Sequence, residues 1–145
     1  MKAVVQRVKY ARVVIDGKTV SSIKQGFLVF LGIKEDDNLS QAGWLAKKIA
    51  DLRIISDAQG KMNQSLIQVN GEVLVVSQFT LYGDCQKGNR PSFIKAARPE
   101  KAKSLYQTFI NKLKDFKLSV KSGVFQAMME IELINDGPVT IILEK

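Results

Sequence analysis

The chain of 145 residues is 46% hydrophobic and 25% charged, which is the composition of an ordinary soluble globular domain. It contains no histidine and one cysteine, Cys85, so it can build neither a Ser-His-Asp nor a Cys-His catalytic device, nor an internal disulfide. A single domain over residues 1–145 is expected, located in the cytoplasm, because no apolar run is long enough for a bilayer and no signal peptide is recognisable.

The net charge of +8 is concentrated in one segment. Residues 87–121 contain ten basic and two acidic residues, whereas the rest of the chain contains twelve of each. Such a segment attracts a polyanion through phosphate contacts and counterion release, so a nucleic-acid partner is one interpretation. A solvated, lysine-rich helix is the other.

The first half of the chain predicts three strands, a helix and a short strand. In chain order these are Ala3 to Ile15, Lys18 to Ile23, Phe27 to Ile33, Leu39 to about Leu52, and Arg53 to Ile55. Asp16-Gly17 is a strong signal for a two-residue hairpin between the first two strands. The helix follows from apolar residues at the helical period: Leu39, Ala42, Leu45, Ala46, Ile49 and Leu52. The preceding residues 35–38 are acidic or amide residues, which are suited to an N-cap and a first helical turn.

The second half predicts one buried strand, a second helix and three further strands. The strand begins at Val73, and the helix begins near Pro99 with an apolar stripe of Leu105, Phe109, Leu113 and Phe116. The last three strands are Ser119 to Val124, Glu130 to Ile134, and Val139 to Leu143. Asn135-Asp136-Gly137-Pro138 is predicted to turn the chain between the last two.

These elements predict an α/β domain of mixed, largely antiparallel sheets with two main helices on one side. Several strands look buried on both faces, yet only two helices are available to cover them. Packing of sheet on sheet, or a homodimer interface, is expected to supply the remaining cover.

The strand that begins at Val73 leads directly into small polar residues. Val73 to Val76 has no polar alternation, which is typical of a strand buried on both faces. Ser77, Gln78 and Thr80 therefore lie at or just past a rigid strand end, where binding groups are held reproducibly. The alternative is structural, because serine and threonine also end strands by bonding to nearby backbone.

Three stretches together resemble the D-aminoacyl-tRNA deacylases: Val75 to Leu81, the loop ending Arg90-Pro91-Ser92-Phe93, and Asn135 to Thr140. The opening Ala3 to Val8 and the segment Gly60 to Asn63 resemble the same family. The resemblance implies an α/β homodimer that hydrolyses D-amino acids from tRNA as a proofreading step of translation, with no cofactor.

The resemblance also implies which residues act. The catalytic motif corresponds to Ser77, Gln78, Phe79 and Thr80. Chiral selectivity is assigned to Gly137 and Pro138, whose peptide bond is cis in the family and enters the active site of the other subunit. Arg7 is expected to support that peptide, and a basic surface is expected to hold the acceptor end of tRNA: Lys87, Arg90, Lys95 and Arg98.

Three sources of catalysis remain open at this point. Backbone N–H groups around Phe79 and Thr80 can form an oxyanion hole, and the 2′-OH of the terminal adenosine can assist. Thr80 as a nucleophile lacks a recognisable base. Carbonyls of Gly137 and Pro138 would exclude an L side chain but admit D side chains, and they would admit glycine, so glycyl-tRNA (glycine mischarged on tRNA-Ala) is also expected to be a substrate. The competing functions are a non-catalytic RNA-binding module and a small-molecule esterase.

Overall fold

The computed structural model describes residues 1–145, and its first strand is the centre of a six-stranded mixed sheet. This strand, β1 (Lys2–Ile15), pairs antiparallel with β2 (Lys18–Ile23), β3 (Gly26–Gly32) and β8 (Glu130–Glu144). The first half of β1 pairs with β3 and the second half with β2, whereas β8 runs beside both halves. Asp16 and Gly17 have φ of 49° and 72°, which confirms the predicted two-residue hairpin.

The other side of the sheet is parallel. Strand β6 (Glu72–Ser77) lies beside β3, and β7 (Ser119–Ser122) lies beside β6, so the order is β2-β1-β3-β6-β7 with β8 also on β1. Residues 73–76 are buried, as the apolar run predicted. A separate hairpin is formed by β4 (Ile55–Ser56) and β5 (Met62–Gln64), so the predicted strand from Arg53 is shorter and begins later.

Two long helices cover one face of the sheet, as predicted. These are α1 (Leu39–Ala50) and α3 (Pro99–Asp115), which pack against each other, while α2 (Leu66–Val69) is one short turn. Leu39 departs from the predicted stripe, because it is 65% exposed at the first position of α1. The other apolar residues of both stripes contribute to the large core between helices and sheet. No helix has both the length and the apolar composition that crossing a bilayer requires.

The opposite face of the sheet is buried in a second, smaller core. Its seven fully buried residues come from four strands of the same sheet: Val8, Ala11, Val13, Ile23, Leu28, Leu74 and Val76. Partly buried residues of β8, Ile131 and Leu133, pack against them. The seven residues all belong to the six-stranded sheet, and none comes from the second sheet, β4–β5. Cover by sheet-on-sheet packing or by a homodimer interface stays a prediction.

The start of α1 differs from the expectation of carboxylates in its first turn. Asn38 is the N-cap and forms a capping box with Gln41, and no acidic residue lies in the first turn. The carboxylate of Asp37 is instead fully buried, 2.5 Å from the terminal ammonium of Met1, and it also accepts from the N–H of Lys34 at 2.8 Å. A buried charge requires a partner, and this pair supplies one.

The predicted chain reversal at residues 135–138 is wrong. Strand β8 continues from Glu130 to Glu144 beside β1, because β1 is long enough to pair with both halves. The ladder is irregular on both sides of Val8. Gln6 pairs with Thr140 and Val8 with Asn135, so residues 136–139 lie opposite Arg7 alone, and the next pair after Val8 is Tyr10 with Ile134. Residues 136–139 thus form a bulge in a continuous strand.

Candidate active site

The Ser77–Thr80 segment leaves the sheet at the carboxyl end of β6. The N–H of Gln78 donates to the carbonyl of Leu31 at 2.8 Å, and a 3₁₀ turn, Phe79–Tyr82, follows immediately. This turn lies close to Gly32 at the end of β3. A Cβ at Gly32 would lie 3.0 Å from the Cβ of Leu81 and 3.2 Å from the carbonyl oxygen of Gln78. Glycine at this strand end therefore allows the close approach, a role that the sequence alone did not indicate.

The turn presents main-chain donors and one hydroxyl at the surface. Its first hydrogen bond runs from the N–H of Leu81 to the carbonyl of Gln78 at 3.3 Å, so the N–H groups of Phe79 and Thr80 precede the bonded part of the turn. The side-chain amide of Gln78 donates to the hydroxyl of Thr80, and both Phe79 and Thr80 are exposed. An amide cannot accept a proton at neutral pH, so this contact orients the Thr80 hydroxyl but does not activate it as a nucleophile.

An aromatic pair lies beside the turn. The rings of Phe79 and Phe93 meet edge to face, with centroids 5.0 Å apart. Phe93 belongs to the loop that follows, which is closed by two main-chain hydrogen bonds between Asp84 and Ser92, of 2.8 and 2.9 Å. Two hydrogen bonds lower the pKa of the Asp84 carboxyl and keep it ionised. The larger effect comes from the N–H of Gln86 and the smaller from the ammonium of Lys95.

The four predicted tRNA-binding residues lie in or just after this loop. Lys87 and Arg90 are exposed at the end of the loop, and Lys95 is exposed although it forms an ion pair with Asp84 at 3.2 Å. Arg98 is the exposed residue before α3. All four are therefore accessible to a polyanion.

The second candidate segment is the bulge of residues 136–139. Arg7 is only 8% exposed, and its guanidinium donates from Nε to the carbonyl of Asp136 at 3.0 Å and lies 3.2 Å from the Asp136 carboxylate. Its Nη1 donates to the carbonyl of Ile54 at 2.7 Å and to the Ser56 hydroxyl at 3.4 Å. The expected contact between Arg7 and the Gly137-Pro138 segment is thus made through the preceding residue.

Gly137 and Pro138 are the two exposed central residues of the bulge. The peptide bond between them is cis, both residues are exposed, and neither carbonyl accepts any of the side-chain or turn hydrogen bonds of the chain. Gly137 has φ of +130°, and a Cβ there would lie 2.7 Å from Val139 Cγ2 and 3.0 Å from Arg7 Nη2. Only glycine fits this position without displacing its neighbours.

Within one chain the two candidate segments are far apart. Ser77 pairs with Leu31 and Leu31 with Ala3, whereas the bulge lies opposite Arg7 on the far side of β1. The separation is about four residues along β1 and three strand spacings across the sheet, or roughly 20 Å. A single protomer does not bring both segments to one small substrate group.

The sequence profile of the D-Tyr-tRNA(Tyr) deacylase family matches residues 4–144, nearly the entire chain. The chain belongs to this family. Among its relatives is a D-aminoacyl-tRNA deacylase of Thermosipho africanus (strain TCF52B), 54% identical over 144 residues that cover 99% of this chain and 97% of the relative. A D-aminoacyl-tRNA deacylase of Geotalea daltonii is 57% identical, over 99% of this chain and 96% of that relative.

Two solved structures share the fold of this chain. The structure of the c-Myc DNA Unwinding Element Binding Protein superposes with a TM-score of 0.94 at 41% identity, covering 100% of this chain and 99% of that one. A probable eukaryotic D-amino acid tRNA deacylase gives a TM-score of 0.84 at 16% identity, covering 98% and 97%, which shows a shared fold. The family expected from the sequence is confirmed, and so is the single α/β domain with a mixed sheet.

Proposed function

We propose that this chain hydrolyses the ester bond of D-aminoacyl-tRNA and releases free D-amino acid and tRNA. The observation that carries the proposal is the full-length match to the D-Tyr-tRNA(Tyr) deacylase family, together with relatives named D-aminoacyl-tRNA deacylase. The Ser77–Thr80 segment is the part of the structure that suits this reaction, because two exposed residues, Phe79 and Thr80, carry N–H groups that precede the bonded part of the turn, and Gln78 holds the Thr80 hydroxyl.

The chemistry assigned to this turn is stabilisation of charge on the ester carbonyl. Water attacks the carbonyl carbon, the carbonyl oxygen becomes an oxyanion, and the N–H groups of Phe79 and Thr80 donate to it. One such donor typically lowers the barrier by about 3 kcal/mol. The bond to the ribose oxygen then breaks, and that oxygen leaves as a hydroxyl of the terminal adenosine. The neighbouring 2′-OH of the substrate assists proton transfer, while Thr80 orients water or substrate.

Chiral selection is assigned to the carbonyls of Gly137 and Pro138 of a second copy of the chain. The roughly 20 Å between the two segments within one protomer favours a homodimer in which each bulge enters the partner's site. Carbonyls that accept from the substrate amino group occupy the space into which an L side chain would project. D-aminoacyl esters and glycyl esters, including glycine mischarged on tRNA-Ala, are then accepted.

Substrate capture is assigned to the basic loop and the start of α3. Lys87, Arg90, Lys95 and Arg98 would contact phosphates of the acceptor end, with further lysines of α3 extending the positive surface. The logarithm of the tRNA association constant should fall as the logarithm of the salt concentration rises. Removing one phosphate contact should make this dependence less steep by about 1. Lys47, which forms an ion pair with Asp51 at the end of α1, offers a control outside this surface.

The deciding experiment compares D-Tyr-tRNA and L-Tyr-tRNA as substrates of the purified protein. Release of tyrosine from the D ester alone is expected, and equal rates on both would refute the assignment. A D ester on a terminal 2′-deoxyadenosine should be cleaved more slowly, and Thr80→Val should keep most of the activity. Loss of activity in Thr80→Val with full cleavage of the 2′-deoxy substrate would instead support an esterase with a Thr80 nucleophile.

A non-catalytic RNA-binding module is the second candidate, favoured by the charge of residues 87–121. Their ten basic and two acidic residues account for the whole net charge of +8. This function predicts salt-sensitive tRNA binding without ester cleavage, and the same assay distinguishes it.

A further inference from the structure

The bulge of residues 136–139 needs hydrogen-bond partners that the sheet does not supply. In the β1–β8 ladder, Asn135 is the last paired residue before the bulge and Thr140 is the first after it. The four residues between them lie opposite Arg7 alone. Main-chain groups in such a segment take fixed directions only when side chains or water bond to them.

The side chain of Asn135 extends across the bulge and bonds beyond it. Its Oδ1 accepts from the N–H of Val139 at 2.9 Å, and its Nδ2 donates to the hydroxyl of Thr140 at 3.0 Å. The same Thr140 oxygen accepts from Nε2 of Gln6 on β1 at 3.3 Å, which ties this contact to the neighbouring strand. Asn135 therefore joins the residue before the bulge to its last residue and to the residue that follows.

Arg7 and Asn135 hold opposite ends of the bulge. Arg7 bonds to Asp136, the first residue, and Asn135 bonds to Val139, the last. Gly137 and Pro138 lie between these two attachments and make no such bonds themselves. Fixing both ends of a four-residue segment restricts the directions in which the two central carbonyls can point.

We propose that Asn135 is a positioning residue for stereoselectivity: its side-chain amide sets the direction of the Gly137 and Pro138 carbonyls. The inference rests on the proposed deacylase function and deepens it. Asn135 touches neither the ester nor the amino group; it acts through the bulge. Its loss is expected to affect rejection of L substrates more than cleavage of D substrates.

The chemistry of the amide suggests a sharp pair of variants. Asn135→Leu keeps a similar shape and removes both hydrogen bonds. Asn135→Asp keeps the acceptor for Val139, and its second oxygen can accept from the Thr140 hydroxyl, which rotates to donate. If Asn135 acts by positioning, Asn135→Asp should retain the selectivity that Asn135→Leu loses. Aspartate is more polar than asparagine and leucine is less polar, so polarity alone does not account for this result.

The test measures kcat/KM for D-Tyr-tRNA and L-Tyr-tRNA with wild type and both variants. Asn111→Leu, at an exposed position of α3, is the control. A ratio cancels changes in tRNA affinity that are common to both substrates. Asn135→Leu should lower the D/L ratio about tenfold or more, the factor expected for the loss of two ordinary hydrogen bonds, through faster L cleavage. Asn135→Asp and Asn111→Leu should stay within about threefold of wild type.

An unchanged ratio in Asn135→Leu overturns the inference, and so does a fall caused only by slower D cleavage. If Asn135→Leu does not fold, Thr140→Val removes the acceptor of Nδ2 at an exposed position and should give a smaller shift in the same direction. Amide exchange of Val139 is a second readout that requires no activity, and protection should fall in Asn135→Leu alone. If wild type cleaves neither ester, the proposed function fails, while the exchange measurement still decides whether Asn135 holds the bulge.

Discussion

Replacement of Arg7 by methionine tests how the bulge is attached to the core. Methionine keeps an unbranched apolar stem and removes the guanidinium. The variant loses the donors to the carbonyls of Asp136 and Ile54, the weaker contact with Ser56, and the ion pair with the Asp136 carboxylate. All these partners come from segments distant in sequence from β1.

The size of the effect follows from burial. Removing one partner of a buried ion pair costs about 3–5 kcal/mol, and a hydrogen bond to a charged group about 1.5–3 kcal/mol. The Asp136 side chain is 28% exposed, so water can compensate part of its loss. The Ile54 carbonyl has less compensation, because Ile54 is buried. We expect Arg7→Met to lower the free energy of unfolding by about 3 kcal/mol, which leaves a domain of ordinary stability folded.

A matched control lies on the same two strands. Arg12 of β1 is 2.7 Å from Glu132 of β8, and their side chains are 45% and 41% exposed. Exposed ion pairs contribute little, so Arg12→Met should be close to wild type in stability. Arg7 and Arg12 differ in burial and in what they hold, not in residue type or strand.

Urea denaturation followed by circular dichroism measures stability, and hydrolysis of D-Tyr-tRNA and L-Tyr-tRNA under folding conditions measures selectivity. Arg7→Met should be the less stable of the two variants and should cleave the L ester faster than wild type. Equal destabilisation of both variants would refute the estimate from burial. If Arg7→Met is destabilised but keeps its preference for the D ester, the guanidinium stabilises the fold and is not needed for selectivity.

Three further outcomes are expected. Gly137→Ala should lower the D/L ratio without abolishing folding, because its Cβ would lie 2.7 Å from a Val139 methyl in a segment that can shift; an unchanged ratio would contradict this. Asp37→Asn should lower the free energy of unfolding by about 3 kcal/mol in urea denaturation, since the Met1 ammonium is fully buried against it; a loss no larger than that of an exposed substitution would contradict the ion pair. A hydrogen bond from the N–H of Lys61 lowers the pKa of the Asp57 carboxyl in the folded protein. The ionised Asp57 therefore stabilises the fold above the pKa of the unfolded chain, about 4, and this stabilisation is lost as the pH falls through the pKa of the folded state. The difference in Tm between wild type and Asp57→Asn should therefore be constant above about pH 5 and shrink below pH 4.

Local signals in the sequence predicted most elements because those elements depend on local physics. The hairpin at Asp16-Gly17 needs two residues with positive φ, and Pro99 suits the first position of α3. Both requirements are visible in the residues themselves. The failures arose where tertiary pairing decides: Asn135 to Pro138 has the composition of a turn, yet β1 keeps β8 in one continuous strand.

The candidate site shows the same division. The apolar run before Ser77 located the strand end, and the resemblance located Gly137 and Pro138. The 3₁₀ turn was not predicted, because it depends on the N–H of Gln78 bonding to Leu31 and on close approach to Gly32. The bonds of Asn135 across the bulge were also missed, since an Asn two residues before Gly-Pro equally fits a surface turn.

The pairing of β1 with β8 has a consequence for how the domain is made. Residues 2–14 find their partners at residues 130–144, among the most distant pairings that this chain offers. Closing so long a loop is entropically costly and slows folding. During synthesis one edge of β1 remains an open row of N–H and C=O groups until β8 emerges from the ribosome. A nascent chain stalled before residue 130 therefore exposes an edge that invites pairing with other chains.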